Sequence, residues 1–405
     1  MKNREGAVSI PSVEEIDVED KRVLVRLDLD LPLGPDGKVR DWSRLERALP
    51  TLRHIRSRKA RLVLCSHLGA VRGAGRRRRG PSLMEVGGKI AELLGTEVIF
   101  PRCPVGDAVR KLSMDLQAGG VMLLENLLFH PGEERNDPAF AERLARLAEL
   151  YVNEAFTVAH LELASTCAVV RFFDIAAVGV GFAAELRALE RITRAPARPF
   201  VAVMGGRGVK EKLEILDNLK PDLDSILVGG AVANTFLKAV GKHVGASELD
   251  ESAIYGAARI VSSASARGVR VVLPKEVVCV PPQGGQQATA HVVQMGRVPQ
   301  GWKIVDVGPA AAEHYAEIID AAATVLWMGE MGAGAGYERG TVRVAEAVAG
   351  TDAYTVVAGA EAVEFVERAG LSGRITHLSL GGKAAVELLK GNALPAVDAL
   401  REKSR

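Results

Sequence analysis

Cysteine is scarce in this chain, and the four thiols, Cys65, Cys103, Cys167 and Cys279, lie far apart with no CxxC pair. That spacing argues against a zinc ribbon, a thioredoxin motif or a dense disulfide framework, and it fits a reducing compartment. An apolar leader is also missing. The chain opens Met-Lys-Asn-Arg-Glu-Gly with no apolar stretch behind it, so no signal peptide is expected. The longest apolar run, around Ile175 to Ala184, is too short to span a bilayer. A cytoplasmic protein with no membrane partner is the expectation. Nor is there an excess of one charge. Lys and Arg number 52 against 50 Asp and Glu, a net +2 that gives no reason to expect nucleic acid as a partner. The familiar chemical motifs are absent as well. No GxxxxGK[ST] is present, no GxGxxG opens a helix after a strand, and neither HExxH nor GxSxG occurs. A P-loop, a dinucleotide fingerprint, a histidine-built zinc site and a nucleophile elbow all lose their support.

What the chain has is length and alternation. Its 405 residues, 25% charged and 48% hydrophobic, suit a globular protein of two or three domains. Short β-branched runs alternate with helix-period segments. Strands are expected at Arg22–Leu29, Arg61–Ser66, Glu97–Phe100, Val121–Glu125 and Tyr151–Asn153, with helices between them. After Arg198 a second run places strands at Pro199–Met204, Ser225–Val228, Val269–Leu273, Thr324–Trp327, Thr355–Val357 and Ile375–Leu378. The strands are apolar almost throughout, as strands covered on both faces are, and the alternation predicts parallel βαβ units. The fold class is therefore α/β, with two doubly wound parallel-sheet domains. The expected boundaries are 1–184 for the first, a hinge helix over 185–198, and 199–389 for the second. The one low-complexity tract, Gly73 to Gly80, reads as a basic surface loop.

One ordered series of segments carries a family likeness. In the first half these are Val25-Arg-Leu-Asp-Leu-Asp-Leu-Pro32, Ser66-His-Leu-Gly69, Leu123-Leu-Glu-Asn126, Phe129-His-Pro-Gly-Glu-Glu134 and Val152-Asn-Glu-Ala-Phe156. In the second they are Val203-Met-Gly-Gly206, Gly229-Gly230 with Ala233-Asn-Thr-Phe-Leu-Lys238, Asp306-Val-Gly-Pro309, Trp327, Gly340-Thr341 and Gly381-Gly382. In this order and over nearly the whole chain, the sequence resembles phosphoglycerate kinase. The resemblance implies two Rossmann-like domains joined by a helical hinge, with a tail over 390–405 returning to the first. It implies an acid site in the N-terminal domain, Mg²⁺ with ATP or ADP in the C-terminal domain, and closure of the hinge. The implied activity is reversible phosphoryl transfer between Mg-ATP and the carboxylate of 3-phosphoglycerate, by a monomer whose partners are small molecules.

Carried over residue by residue, the resemblance assigns substrate binding to Asp28, Asp30, Arg44 and His67, the last expected to carry charge. It assigns catalysis to Arg44 and Lys212. It assigns nucleotide binding to Gly205, Gly206, Lys212, Gly229, Gly230, Glu361, Gly381 and Gly382, with Glu361 as the magnesium ligand. Departures fall on the same positions. Asp30 replaces an asparagine, and three substrate arginines are Ala70, Leu128 and Leu161, with Leu163 in place of a histidine. Loss of three charge-assisted hydrogen-bonding groups is worth about 4–9 kcal/mol of anion recognition. On the nucleotide side a lysine is Gly208, an asparagine is Met328, a proline is Glu330 and the ribose glutamate is Ala335. The Arg76–Arg79 tract is a candidate for replacement charge, as are Arg207 and Lys210. Three readings stay open on the sequence: an active 3-phosphoglycerate kinase, a kinase for a less anionic acid with an apolar pocket at Leu128, Leu161 and Leu163, and a non-catalytic paralogue that binds or scaffolds.

Overall fold

The computed structural model describes residues 9–69, 80–282, 289–332 and 336–405. Ala70, Arg72, the Arg76–Arg79 tract and Ala335 lie outside them. The chain divides into two compact units, Met1–Leu186 with Ala393–Arg405, and Arg187–Asn392. No helix among the described residues is long and apolar enough to cross a membrane.

Unit 1 runs β1 (Arg22–Arg26), α1 (Ser43–Ser57), β2 (Arg61–Cys65), α2 (Met84–Leu94), β3 (Val98–Ile99), α3 (Asp107–Met114), β4 (Val121–Leu123), α4 (Pro138–Ala145), β5 (Leu150–Asn153) and β6 (Ala176–Val178). The strands form one sheet in the order β3-β4-β2-β1-β5-β6, parallel at every pairing. Helix α1 shows why the sequence folds this way. Leu45, Ala48, Leu49, Leu52 and Ile55 recur at three- and four-residue spacing and all are buried. β6 falls within the apolar run at Ile175–Ala184 for which no strand was expected.

The chain leaves unit 1 through α5 (Val180–Arg194). This helix starts five residues before the expected Glu185, and the cause is a cap supplied from β5. The Glu154 carboxylate accepts from Gly181 N at 2.9 Å and Phe182 N at 3.4 Å, and Thr51 Oγ1 accepts from Val180 N at 2.8 Å. These satisfy first-turn amides that otherwise lack a partner. Burial pushes Glu154 up to about 7 from an ordinary 4.5, against the amides and Thr51, which pull it down. A carboxyl with a raised folded-state pKa binds its proton more tightly when folded. Its contribution is therefore full below about pH 4.5 and is lost as pH rises through 7, in total about 3 kcal/mol. Urea titrations of the wild type and Glu154→Gln at pH 4.5 and 7.5 check this. The wild type is expected to lose that amount relative to the variant, and a pH-independent difference would mean that the carboxyl has the same pKa folded and unfolded.

Unit 2 continues with β7 (Phe200–Met204), α6 (Val209–Leu219), β8 (Ser225–Val228), α7 (Gly230–Ala239), α8 (Ile254–Ser265), β9 (Arg270–Val272), β10 (Glu276–Val280), β11 (His291–Gln294), β12 (Lys303–Val307), α9 (Pro309–Asp320), β13 (Thr324–Met328), α10 (Arg339–Gly350), β14 (Tyr354–Ala358), α11 (Ala360–Arg368), β15 (His377–Ser379) and α12 (Gly382–Leu389). Its main sheet, β15-β14-β13-β7-β8-β9, is parallel throughout. Trp327 is fully buried in its core, and its indole N–H donates to Gly329 O at 2.7 Å. A second, antiparallel sheet, β11-β10-β12, was not expected from the sequence. β11 is mostly exposed and β12 opens on exposed Lys303, so these two lack the pattern by which buried strands are recognised, whereas the apolar run Val277–Val280 of β10 has it and was passed over. The last helix, α13 (Pro395–Lys403), belongs to unit 1, where Ala396 N donates to Ala159 O at 3.2 Å.

Candidate functional site

In unit 1 the candidate residues lie beyond the end of β1. Alternation along Leu27-Asp28-Leu29-Asp30-Leu31 buries the three leucines and sends both aspartates to the other side. Asp28 receives Arg44 Nη1 at 3.2 Å on both carboxylate oxygens and Thr157 Oγ1 at 2.8 Å. The matched arginine is thus already engaged by a carboxylate. Asp30 accepts from Gly69 N at 2.9 Å. Burial raises its pKa, and the neighbouring Asp28 charge adds to the rise while the Gly69 amide opposes it. The replaced asparagine therefore leaves a carboxylate that holds the loop after β2.

His67 corrects an expectation. It is buried, and its Nδ1 faces Arg26 Nη2 at 2.7 Å. Burial, followed by the Arg26 and Arg44 charges, pushes it down to about 3. The imidazole is neutral at physiological pH, with Nδ1 as acceptor, and adds no positive charge to the site.

Arg26 itself was missed. It is fully buried at the end of β1. Nε donates to Ser165 Oγ at 2.7 Å and Nη1 to Ser66 Oγ at 3.2 Å and to Leu27 O. Ser165 Oγ in turn donates to Glu133 Oε1 at 2.6 Å, and Ser165 N to Oε2 at 3.1 Å. A guanidinium and a carboxylate, both removed from water, are joined through one hydroxyl. The available signal was a single arginine ending the apolar strand Val23-Leu-Val.

The apolar replacements do not form one pocket. Leu163 is buried with Ala155 and Val158, and Leu161 packs against that cluster, whereas Leu128 is half-buried and belongs to a separate turn after β4.

In unit 2 a cavity of about 240 Å³ opens at the carboxyl ends of the central strands, the usual ligand position of an open parallel sheet. Gly206, Gly230 and Glu361 all line it, together with Asn234, Asp306 and Glu330. Gly205 and Gly229 lie just behind, in the backbone network that forms its floor. Gly205 N donates to Met328 O at 2.8 Å, Gly206 N to Glu330 O at 2.6 Å and Gly230 N to Met331 O at 2.8 Å. Gly206 has φ +60°, and a Cβ there would stand 2.5 Å from Glu361 Oε2, so only glycine admits the carboxylate this close. Lys212, on α6, is buried and donates to Arg207 O. Burial pulls its amine down to about 8, while the Glu361 and Glu211 charges oppose the fall. Gly381 and Gly382 begin α12 and do not line this cavity. Arg207 is paired with Glu248 at 2.7 Å, so it is not spare charge for a ligand.

The likeness extends to the whole molecule. A family model described as phosphoglycerate kinase matches residues 13–392. The chain belongs to the phosphoglycerate kinase family. It is 41% identical to the phosphoglycerate kinase of Anaeromyxobacter sp. (strain K) over 397 residues, covering 98% of this chain and 100% of that one. It is also 41% identical to that of Moorella thermoacetica over 394 residues, covering 97% and 99%. The phosphoglycerate kinase structure from Coxiella burnetii superposes with a TM-score of 0.89 at 31% identity, covering 98% of this chain and 100% of the other. That from Pyrococcus horikoshii OT3 gives 0.79 at 26% identity, covering 98% and 99%.

Against the phosphoglycerate kinase pattern, Gly208 has a conformational reason to differ. It caps α6 in the left-handed region, φ +69° and ψ 42°, with only the Glu211 carboxylate within reach of a Cβ, at 3.7 Å. The family lysine would fit the space but would adopt a backbone conformation costing about 1–2 kcal/mol for a side-chain-bearing residue.

Proposed function

We propose that this chain keeps a phosphoglycerate kinase nucleotide site and transfers phosphoryl between Mg-ATP and the carboxylate of 3-phosphoglycerate only feebly. The observation that carries the reading is Arg44. It is the one matched substrate arginine, and Asp28 engages its Nη1 and offsets part of its charge, while the side chain stays 42% exposed and stands without a second arginine beside it. Neutral His67 and the carboxylate of Asp30 add nothing that attracts a second phosphate. Phosphoryl transfer depends on positioning and on neutralising gathered negative charge, so a site short of cations loses rate directly.

The nucleotide side supports binding. The cavity lies beside the first turns of α7 and α11, which supply Gly230, Ala231 and Glu361 to its lining, a position where phosphates are favoured. Glu361 is a hard oxygen donor suited to magnesium, which is commonly held by one or two carboxylates plus phosphate oxygens. The ion supplies charge neutralisation when bound. Lys212, mostly protonated at neutral pH, adds its charge behind the glycine loop.

A coupled assay over ATP and acid concentrations tests the proposal. Turnover of 3-phosphoglycerate is expected well below the ordinary range of roughly 1–10³ s⁻¹, with Mg-ADP still detectable by calorimetry at affinities weaker than low micromolar. A kcat inside that range overturns the reading.

A further inference from the structure

The unit 2 cavity has an unusual charge balance for a polyphosphate. Four carboxylates line it, Glu248, Asp306, Glu330 and Glu361, against one lining cation, Arg207, with the Lys212 amine behind the lining and near enough to feel Glu361. Two of the four are occupied. Glu248 is paired with Arg207, and Asp306 accepts from Gly340 N and Val307 N at 2.8 Å each. Glu330 and Glu361 have no ion pair or side-chain hydrogen bond among the described residues. Both line the cavity: Glu361 Oε2 stands 2.5 Å from where a Cβ on Gly206 would be, and the Glu330 carboxylate is near enough to feel the Glu361 charge. Arg368, the nearest cation felt by Glu330, is paired with Glu338 at 2.9 Å.

A second feature of the cavity points to a ligand. Asn234 lines it and is 3% exposed. Its Nδ2 donates to Glu248 O at 2.9 Å, while Oδ1 has no hydrogen-bond partner. An acceptor buried without a donor is costly, and native structures leave few of them.

We propose that Glu330 makes this pocket select the metal-complexed nucleotide over the free anion, its carboxylate joining that of Glu361 as a second oxygen donor to the divalent cation. The inference rests on the nucleotide reading above. Two unpaired carboxylates beside a phosphate seat repel a bare diphosphate. The same pair suits Mg²⁺, which takes one or two carboxylates and fills its remaining positions with phosphate oxygens and water. The family pattern has proline at this position and so lacks the repulsion.

Calorimetry of ADP binding in MgCl₂ and in EDTA decides it. In the wild type the metal is expected to tighten binding at least about 30-fold, and in Glu330→Gln that factor is expected to fall at least about fivefold, mainly because metal-free ADP binds better. Glu330→Pro, which restores the family residue, should shift the factor the same way and guards against a variant that misfolds. Glu313→Gln is the control, since that carboxylate is paired with Arg343 at 2.7 Å and does not line the cavity; its factor should match the wild type. An equal metal factor in the wild type and both Glu330 variants overturns this inference alone. No binding of Mg-ADP to the wild type overturns the nucleotide reading, and this inference with it.

Discussion

Combining Leu128→Arg with Leu161→Arg is expected to raise kcat/KM for 3-phosphoglycerate about 10²- to 10⁴-fold. Each arginine restores a charge-assisted contact of about 1.5–3 kcal/mol, and every 1.36 kcal/mol is a factor of ten. The backbone at both positions is fixed independently of the side chain. Leu128 N donates to Asn126 Oδ1 at 3.0 Å within a turn pinned by Leu127 N to Ser66 O at 3.1 Å, and Leu161 N donates to Val158 O at 2.9 Å. Both side chains are half-buried, so a longer chain can reach solvent or a ligand without displacing a core. Arg44 then no longer stands alone, and the Asp28 carboxylate that holds it becomes an orienting partner rather than the principal counter-ion. A steady-state comparison of the double variant with the wild type measures the gain, and Mg-ADP affinity should not change. A gain under tenfold would place the defect elsewhere, with Gly208 the first position to test.

How far the sequence foretold this arrangement depended on whether each feature is local. Helix α6, Val209–Leu219, is plain in the sequence, because an apolar period, a preceding glycine and a following strand all lie within one segment. The parallel strands other than β6 were equally plain, since burial on both faces leaves uninterrupted apolar runs. The mostly exposed β11 and the exposed start of β12 carry no such mark, whereas β10 carries it and was passed over. At the site, Asp28 and Arg44 could be named from the family likeness, but their mutual ion pair could not. His67 was misjudged because its charge is set first by burial and then by Arg26, which reaches it from β1. The cap on α5 joins Glu154 and Thr51, widely separated in sequence, and only the folded sheet brings them to one helix end. The carboxylate excess around Gly206 was likewise hidden, because Glu330 and Glu361 reach one cavity from separate segments.

Arg26→Met is expected to destabilise unit 1 by about 3–5 kcal/mol, the usual cost of removing one partner of a buried charge pair. Glu133 would remain fully buried, its pKa already raised by desolvation and held back chiefly by the Arg26 charge. Ser165 would lose the donor that orients its hydroxyl between them. Glu133→Gln alone should cost less, because the guanidinium keeps Leu27 O, Ser66 Oγ, Ser165 Oγ and His67 Nδ1 as partners. In the double variant Arg26→Met/Glu133→Gln no buried charge is left unbalanced. Its loss should therefore fall short of the sum of the single losses by at least about 1 kcal/mol, the sign of residues in one network. A chain of two units need not unfold in one transition, so the measurement is hydrogen exchange of the β1 and β5 amides, which reports local opening free energy. Losses that simply add would show that Arg26 and Glu133 act separately, and that the buried arginine serves His67 alone.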